Sequence, residues 1–263
     1  MGGSAKGKSW THEELLIVCN LYFTLPFGQM HARNPMVISL ARALGRTPGS
    51  VAMKLVNFAS LDPVHQARGV SGLRGVSRAD REIWEEFRNN WGTTAYKSEK
   101  SLRTVLSPER PASREEEKAL SILQAADRPT DITATVRIRV MQSFFRRAVL
   151  SAYKSRCCVT GNPIPGLLVA SHILPWSGFP HERVNPKNGL CLVAHIDKAF
   201  DQGLITFGKD MRLMLSSKLR AYLPNDAIES QFISVEGTPL RIPERFPPDV
   251  TFLEYHREKV FRG

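Results

Sequence analysis

At 263 residues with 42% hydrophobic content, the chain has room for one large or two small packed domains and is too apolar for wholesale disorder. Its formal net charge is +11, and no apolar run approaches the about 20 residues of a membrane helix, so the expected partner is a polyanion rather than a bilayer. The N-terminus lacks the basic-then-apolar pattern of a signal peptide, which points to the cytoplasm. Four cysteines, Cys19, Cys157, Cys158 and Cys191, form no CxxC pair. That spacing argues against a structural zinc and a disulfide framework, and reads as small buried hydrophobes.

The first helix is predicted from Thr11, a capping residue with Glu14 at the spacing of a capping box. Leu15, Ile17, Val18, Leu21 and Tyr22 follow at helical period. Asn34-Pro35 and Thr47-Pro48 each combine a cap with proline at the first helical position, so two more helices are expected. The run ARALGRTPGSVAMKL resembles the second and third helices of Myb-like helix-turn-helix domains. The resemblance implies DNA binding, with Ser50, Lys54 and Asn57 on the recognition helix and Arg46 at a phosphate. A charged helix over 81–91, capped from Ser77, is expected to turn Ile83, Trp84 and Phe87 inward. Together these make a helical domain over residues 1–96.

Residues 97–131 read as a linker punctuated by prolines, with one acidic helix over 113–126. The domain expected over 132–263 begins with a long amphipathic helix, 138–153. Arg139, Arg146, Arg147 and Lys154 fall on one side of it, and Met141, Phe144, Phe145, Ala148 and Ala152 on the other. Between residues 132 and 181 there is no acid, while six Lys or Arg occur. The basic side is read as a backbone-positioning face for double-stranded DNA.

The chemistry is expected between residues 158 and 207. Ser171-His172 ends an apolar run, Asn188-Gly189 follows a turn-rich loop, and His195, Asp197 and Asp201 come next. Each alone has an ordinary structural reading; the combination suits phosphodiester hydrolysis. His172 is the side chain whose pKa fits a general base. Asp197 and Asp201, four apart, share a helix face and can meet one cation, for which oxygen ligands favour Mg2+ or Mn2+. Asn188 can orient an imidazole or join the metal shell.

The blocks CVTG at 158–161, ASHILPWS at 170–177, NPKNGLCL at 185–192, DKAFDQGLITF at 197–207 and SSKL at 216–219 resemble the HNH nucleases, in particular the restriction-type subgroup. The tail RIPERFPPDVTFLEYHREKVF also looks like the ending of such proteins. The resemblance implies an α+β chain whose C-terminal part is a ββα-metal fold: a hairpin carrying His172 and Asn188, then a helix carrying metal ligands. It implies a one-cation DNA endonuclease of restriction or phage-defence type, with His172 as base and Asp197, Asp201, His195 and Ser171 around the metal. Relatives carry a histidine just before or at the position of Asp197; here the histidine is His195. It reaches the metal if the helix starts near 197 and points away if it starts earlier. Ser171 stands where relatives carry an acid or a second histidine, which leaves more of the metal to the two aspartates. One such site cuts one strand, so a double-strand break calls for a homodimer. The other readings are a DNA-binding regulator with a degenerate fold and a nuclease for structured RNA.

Overall fold

The computed structural model describes residues 8–67, 76–106 and 131–263, with residues 131–134 described by their backbone alone. The expected acidic helix over 113–126 lies outside the described residues. Helices and small sheets combine in an α+β chain. The chain divides into two compact units, Met1–Phe144 and Phe145–Gly263. The division falls inside a helix, downstream of the stretch 97–131 that the sequence suggests as a linker.

The first unit is helical. α1 (His12–Thr24) starts from a complete Thr11–Glu14 capping box. Every residue of α1 from Glu14 to Phe23 is buried, as a helix that is apolar on most sides requires. α2 (Pro35–Ala43) and α3 (Pro48–Leu61) start at the expected Asn34 and Thr47 caps with proline at the first position. Between them Gly45, at φ +62°, gives the left-handed turn of a Schellman stop, with Arg46 N–H bonded to Ala41 O at 2.8 Å. α4 (Pro63–Ala67), α5 (Arg78–Asn89) and α6 (Trp91–Leu106) complete the unit. Phe23 packs against Trp84, Phe87 and Trp91, with ring centroids 4.8–5.5 Å apart. The buried Asn20 amide donates to Ser98 Oγ and Glu99 Oε1 at 2.8 and 2.7 Å, tying α1 to α6.

α7 (Asp131–Ala152) runs from one unit into the other. Phe144 lies near Phe23 and Phe87 of the first unit, while Phe145 faces His172 of the second. In the second unit β1 (Leu168–His172) pairs antiparallel with β2 (Gly189–Val193), and His172 stands opposite Gly189. All five residues of β2 are buried. The turn after α7 is pinned to this hairpin by Cys158 N–H on Cys191 O, 2.7 Å. α8 (Ala194–Asp201) follows β2 directly, and a second hairpin, β3 (Ile205–Phe207) with β4 (Leu213–Leu215), packs behind it. Three further short helices follow: α9 (Ser217–Arg220), α10 (Asp226–Gln231) and α11 (Val250–Tyr255). The four cysteines are buried and unbridged.

The chain's end closes over the exit of α8. Arg262 N–H donates to Gly203 O at 2.9 Å, and a Cβ on Gly203 would lie 2.0 Å from Val260 O. Gly203 also sits at φ +67°, so both space and backbone require glycine. Nearby, the buried His256 ring stacks on Phe200 at 3.7 Å. Its Nε2–H donates to Phe200 O at 3.1 Å, and its Nδ1 accepts the Thr206 hydroxyl at 2.9 Å. Burial pushes its pKa down to about 4.

Candidate active site

His172 ends β1 and lies between two aromatic rings. The Phe145 ring is parallel to it at 3.9 Å and 10°, and Trp176 meets it edge-on at 5.2 Å. Its Nε2 is 2.8 Å from Arg183 O. A carbonyl can only accept, so Nε2 carries the proton and Nδ1 keeps the lone pair of a neutral ring. Burial lowers the imidazole pKa, and the bond to Arg183 O works against that shift. The net effect is a ring held neutral and in one tautomer, the state a general base needs.

Asn188 does not touch the imidazole. Its Oδ1 accepts Leu174 N–H at 2.8 Å and its Nδ2 donates to Glu182 O at 3.0 Å. Its main-chain oxygen accepts Ile173 N–H at 3.0 Å. The side chain is 1% exposed, and both ends of its amide are occupied. Of the two roles expected for it, metal ligand and orienting residue, these bonds match the second: the Oδ1 that a metal would use already accepts Leu174 N–H. Asn188 clamps the exit of β1 to the loop that presents the Arg183 carbonyl, and so orients His172 through that loop. Arg183 Nε–H on Trp176 O, 2.7 Å, closes the same loop.

The two aspartates lie on α8. Burial raises the carboxyl pKa of Asp197; it also raises that of Asp201, and the charge of Asp197 adds to the rise. Asp197 is partly buried and Asp201 is exposed, and two carboxylates that repel each other at such an open site are a donor pair for a cation. Ser171 is buried and its Oγ has no hydrogen bond of good geometry, yet it lies near enough Asp197 to favour the ionised form. An orphaned hydroxyl beside a carboxylate pair fits a hydrated hard cation, which keeps several waters and needs few protein ligands. Among the described residues no three His, Cys, Asp or Glu side chains form a metal group, so this is not a closed protein cage.

For His195 the earlier of the two expected helix starts is the one observed. α8 starts at Ala194, without a side-chain cap on Val193, so His195 already lies on the helix. Two helical residues separate side chains by roughly 200°, which turns His195 away from Asp197. The imidazole is exposed and meets the edge of Phe232 at 6.0 Å.

The helix-turn-helix expectations fare unevenly. Arg46 is taken up by neighbours within the fold. Its guanidinium donates to Glu14 at 2.7 and 3.2 Å and to the Lys8 and Ser9 carbonyls at 2.6 and 2.7 Å, and it stacks over Trp10 at 4.4 Å. Burial would raise the Glu14 carboxyl, but Arg46 and Thr11 hold it below its ordinary value. Lys54 is paired with both oxygens of Asp80, at 2.8 and 2.9 Å, and the buried Asn57 donates to the same carboxylate at 3.2 Å. Asp80 is fully buried, and a buried carboxylate must be met by a cation and donors. α3 therefore turns Lys54 and Asn57 to Asp80 of α5, and Arg46, in the turn before α3, to Glu14 of α1, so all three expected DNA contacts have intramolecular partners in this structure. Ser50 stays at the partly exposed start of α3, with its hydroxyl on Thr47 O at 2.8 Å. On α7, Arg139, Arg146 and Arg147 are exposed, and Arg146 also donates to Leu168 O at 2.8 Å. Lys154 falls beyond the helix and pairs with Glu244 at 2.7 Å.

Reading the sequence did not single out Phe145, Trp176 or the Arg183 carbonyl as parts of the site. Trp176 stands four residues after His172, but Phe145 and Arg183 are distant or act through the main chain, and neither leaves a signal in residue type.

Residues 157–208 match the model of a family described as HNH endonuclease. No curated protein matches the chain. Among solved structures, a modification-dependent TagI restriction endonuclease is 22% identical, with a TM-score of 0.32, and the match covers 44% of this chain. It covers 37% of that protein, so the chain spans little more than a third of its length.

Proposed function

We propose, from the match of residues 157–208 to the HNH endonuclease family, that the protein is a divalent-metal-dependent endonuclease that hydrolyses double-stranded DNA in a restriction or defence setting. The observation that carries this is the His172 geometry: Nε2–H fixed on Arg183 O, and a ring kept neutral between Phe145 and Trp176. In the proposed reaction His172 Nδ1 takes a proton from water as the water oxygen bonds to phosphorus. The phosphorus–oxygen bond to the leaving sugar then breaks. Asp197 and Asp201, with Ser171 beside them, would hold Mg2+ or Mn2+. Bound there, such an ion neutralises charge on the phosphate and the leaving oxygen. Asn188 keeps the loop, and through it the imidazole, in register. The exposed arginines of α7 supply phosphate contacts. Two copies of the chain are needed to cut both strands.

The test is cleavage of duplex DNA by purified protein with Mg2+ or Mn2+. His172→Ala is expected to bind DNA and not cut it; equal cutting by that variant would remove His172 from the role. A second reading, a DNA-binding regulator on a degenerate nuclease fold, is favoured by the outward His195 and the lack of a three-residue metal group among the described residues. It predicts salt-sensitive binding without metal-dependent cutting, and the same assay separates the two.

A further inference from the structure

Just before β1 the chain makes an exposed tip of unusual chemistry. Pro163, Ile164, Pro165, Gly166 and Leu167 are all exposed, and none carries a polar side chain. Ile164 is 53% and Leu167 48% exposed, although large aliphatic side chains are usually buried. The tip is not loose. Ile164 N–H is held by Asn162 Oδ1 at 2.9 Å, and Leu167 N–H by Ile164 O at 3.0 Å. The Arg146 guanidinium braces its base through Leu168 O at 2.8 Å and Pro165 O at 3.4 Å. Two prolines and these bonds fix Ile164 and Leu167 in place before any partner arrives.

We propose that this tip is a wedge that enters the DNA base stack and kinks the duplex next to the cut. The inference rests on the DNA-endonuclease reading and adds a residue-level role to it. Two observations select DNA over another protein. The tip lies within the stretch 132–181, which contains no acid, and an arginine sits at its base, so its surroundings complement a phosphate backbone. Five residues also offer far less than the about 800 Å² per partner that a specific protein interface needs. Isoleucine, leucine and proline are the side chains that partly unstack base steps and bend DNA when presented on a rigid support. β1 sets the reach. Leu168 to His172 spans four residues, about 13 Å at about 3.3 Å each. That is about four base pairs of B-form duplex at about 3.4 Å each. Bending there would open the groove in which His172 meets its phosphate.

The test uses full-length His172→Ala protein in Mg2+, so that the DNA stays intact. A short duplex carries a donor and an acceptor fluorophore at its ends, and anisotropy establishes saturation for each protein. Energy transfer is expected to rise on binding. In the same background Ile164→Ser/Leu167→Ser should lose most of that rise at saturation; both side chains are exposed, so the substitution leaves the core alone. A duplex that stays straight with the parent protein, or an equal bend with the double variant, overturns the wedge. Loss of binding altogether in the double variant overturns it too, because the tip would then supply affinity rather than distortion. A double variant that bends DNA normally but sediments as a smaller species assigns the tip to self-association, against the proposal. If the His172→Ala protein itself fails to bind DNA, the endonuclease reading falls first.

Discussion

At Asn188 both polar atoms of the side chain are used, Oδ1 for the exit of the strand and Nδ2 for the loop. Replacing it by alanine strands the buried Leu174 N–H, at a cost of about 1–3 kcal/mol, and frees the part-buried Glu182 O from its donor. Asn188→Ala is therefore expected to lower the denaturation midpoint and the turnover rate together. The metal concentration for half-maximal activity should stay the same, since both atoms of the amide are bonded to the main chain. A large shift in that concentration would return Asn188 to the metal shell. Asp201 behaves in the opposite sense. Its carboxyl pKa is raised in the fold, by burial and then by Asp197. The folded chain thus keeps the proton to higher pH than the unfolded chain, and stability falls as pH climbs through the interval between the two pKa values. At neutral pH that cost is fully present, so Asp201→Asn should unfold at higher temperature than the parent in metal-free buffer while losing metal-dependent cutting. Thermal melts with a chelator, paired with a cleavage assay, check both halves.

The elements themselves were largely legible in the residues. The caps at Thr11, Asn34, Thr47 and Ser77 announce their helices through local bonds that a few neighbouring residues decide. What each exposed-looking polar residue would do was not legible, because its partner lies far along the chain. Lys54 meets Asp80 and Arg46 meets Glu14 across 26 and 32 residues. The start of α8 was hidden for a different reason: β2 passes into it at Val193, which has no capping side chain to mark the place. In the site, His172 and the two aspartates were visible as residue types, whereas the Arg183 carbonyl is a main-chain group that no residue type advertises. Gly189 adds a constraint that belongs to the hairpin. A Cβ there would lie 2.3 Å from Val149 Cγ2 and 3.0 Å from Phe145 Cζ. Gly189→Ala must push α7 or rotate Phe145, at about 1–3 kcal/mol for overpacking. Because Phe145 is the ring against His172, activity should fall further than the loss of stability explains. Comparing specific activity with the folded fraction from circular dichroism tests this.

For the molecule as a whole, charge governs two measurable responses. DNA affinity should fall steeply with salt, and removing the exposed Arg139 and Arg147 together should flatten the slope of log K against log salt by about 2. An unchanged slope would place the phosphates elsewhere. Acid is the second response. His256 is buried and neutral with a pKa of about 4, against about 6.5 unfolded. The unfolded chain takes up a proton first, so stability should decline from about pH 6.5 to about 4, by about 3 kcal/mol from this ring alone. His172, also lowered, adds in the same direction. Urea titrations across that range should show the decline, and His256→Gln should shrink it.

The closure of the chain's end over Gly203 makes the site sensitive to handling at a distance. Asp201 stands two residues before the glycine that Val260 and Arg262 hold down. Truncation after Phe261 removes the Arg262 latch on the turn that ends α8 without touching His172, Asp197 or Asp201. Such a truncation is expected to raise the metal concentration needed for half-maximal cutting, so that excess metal restores the rate.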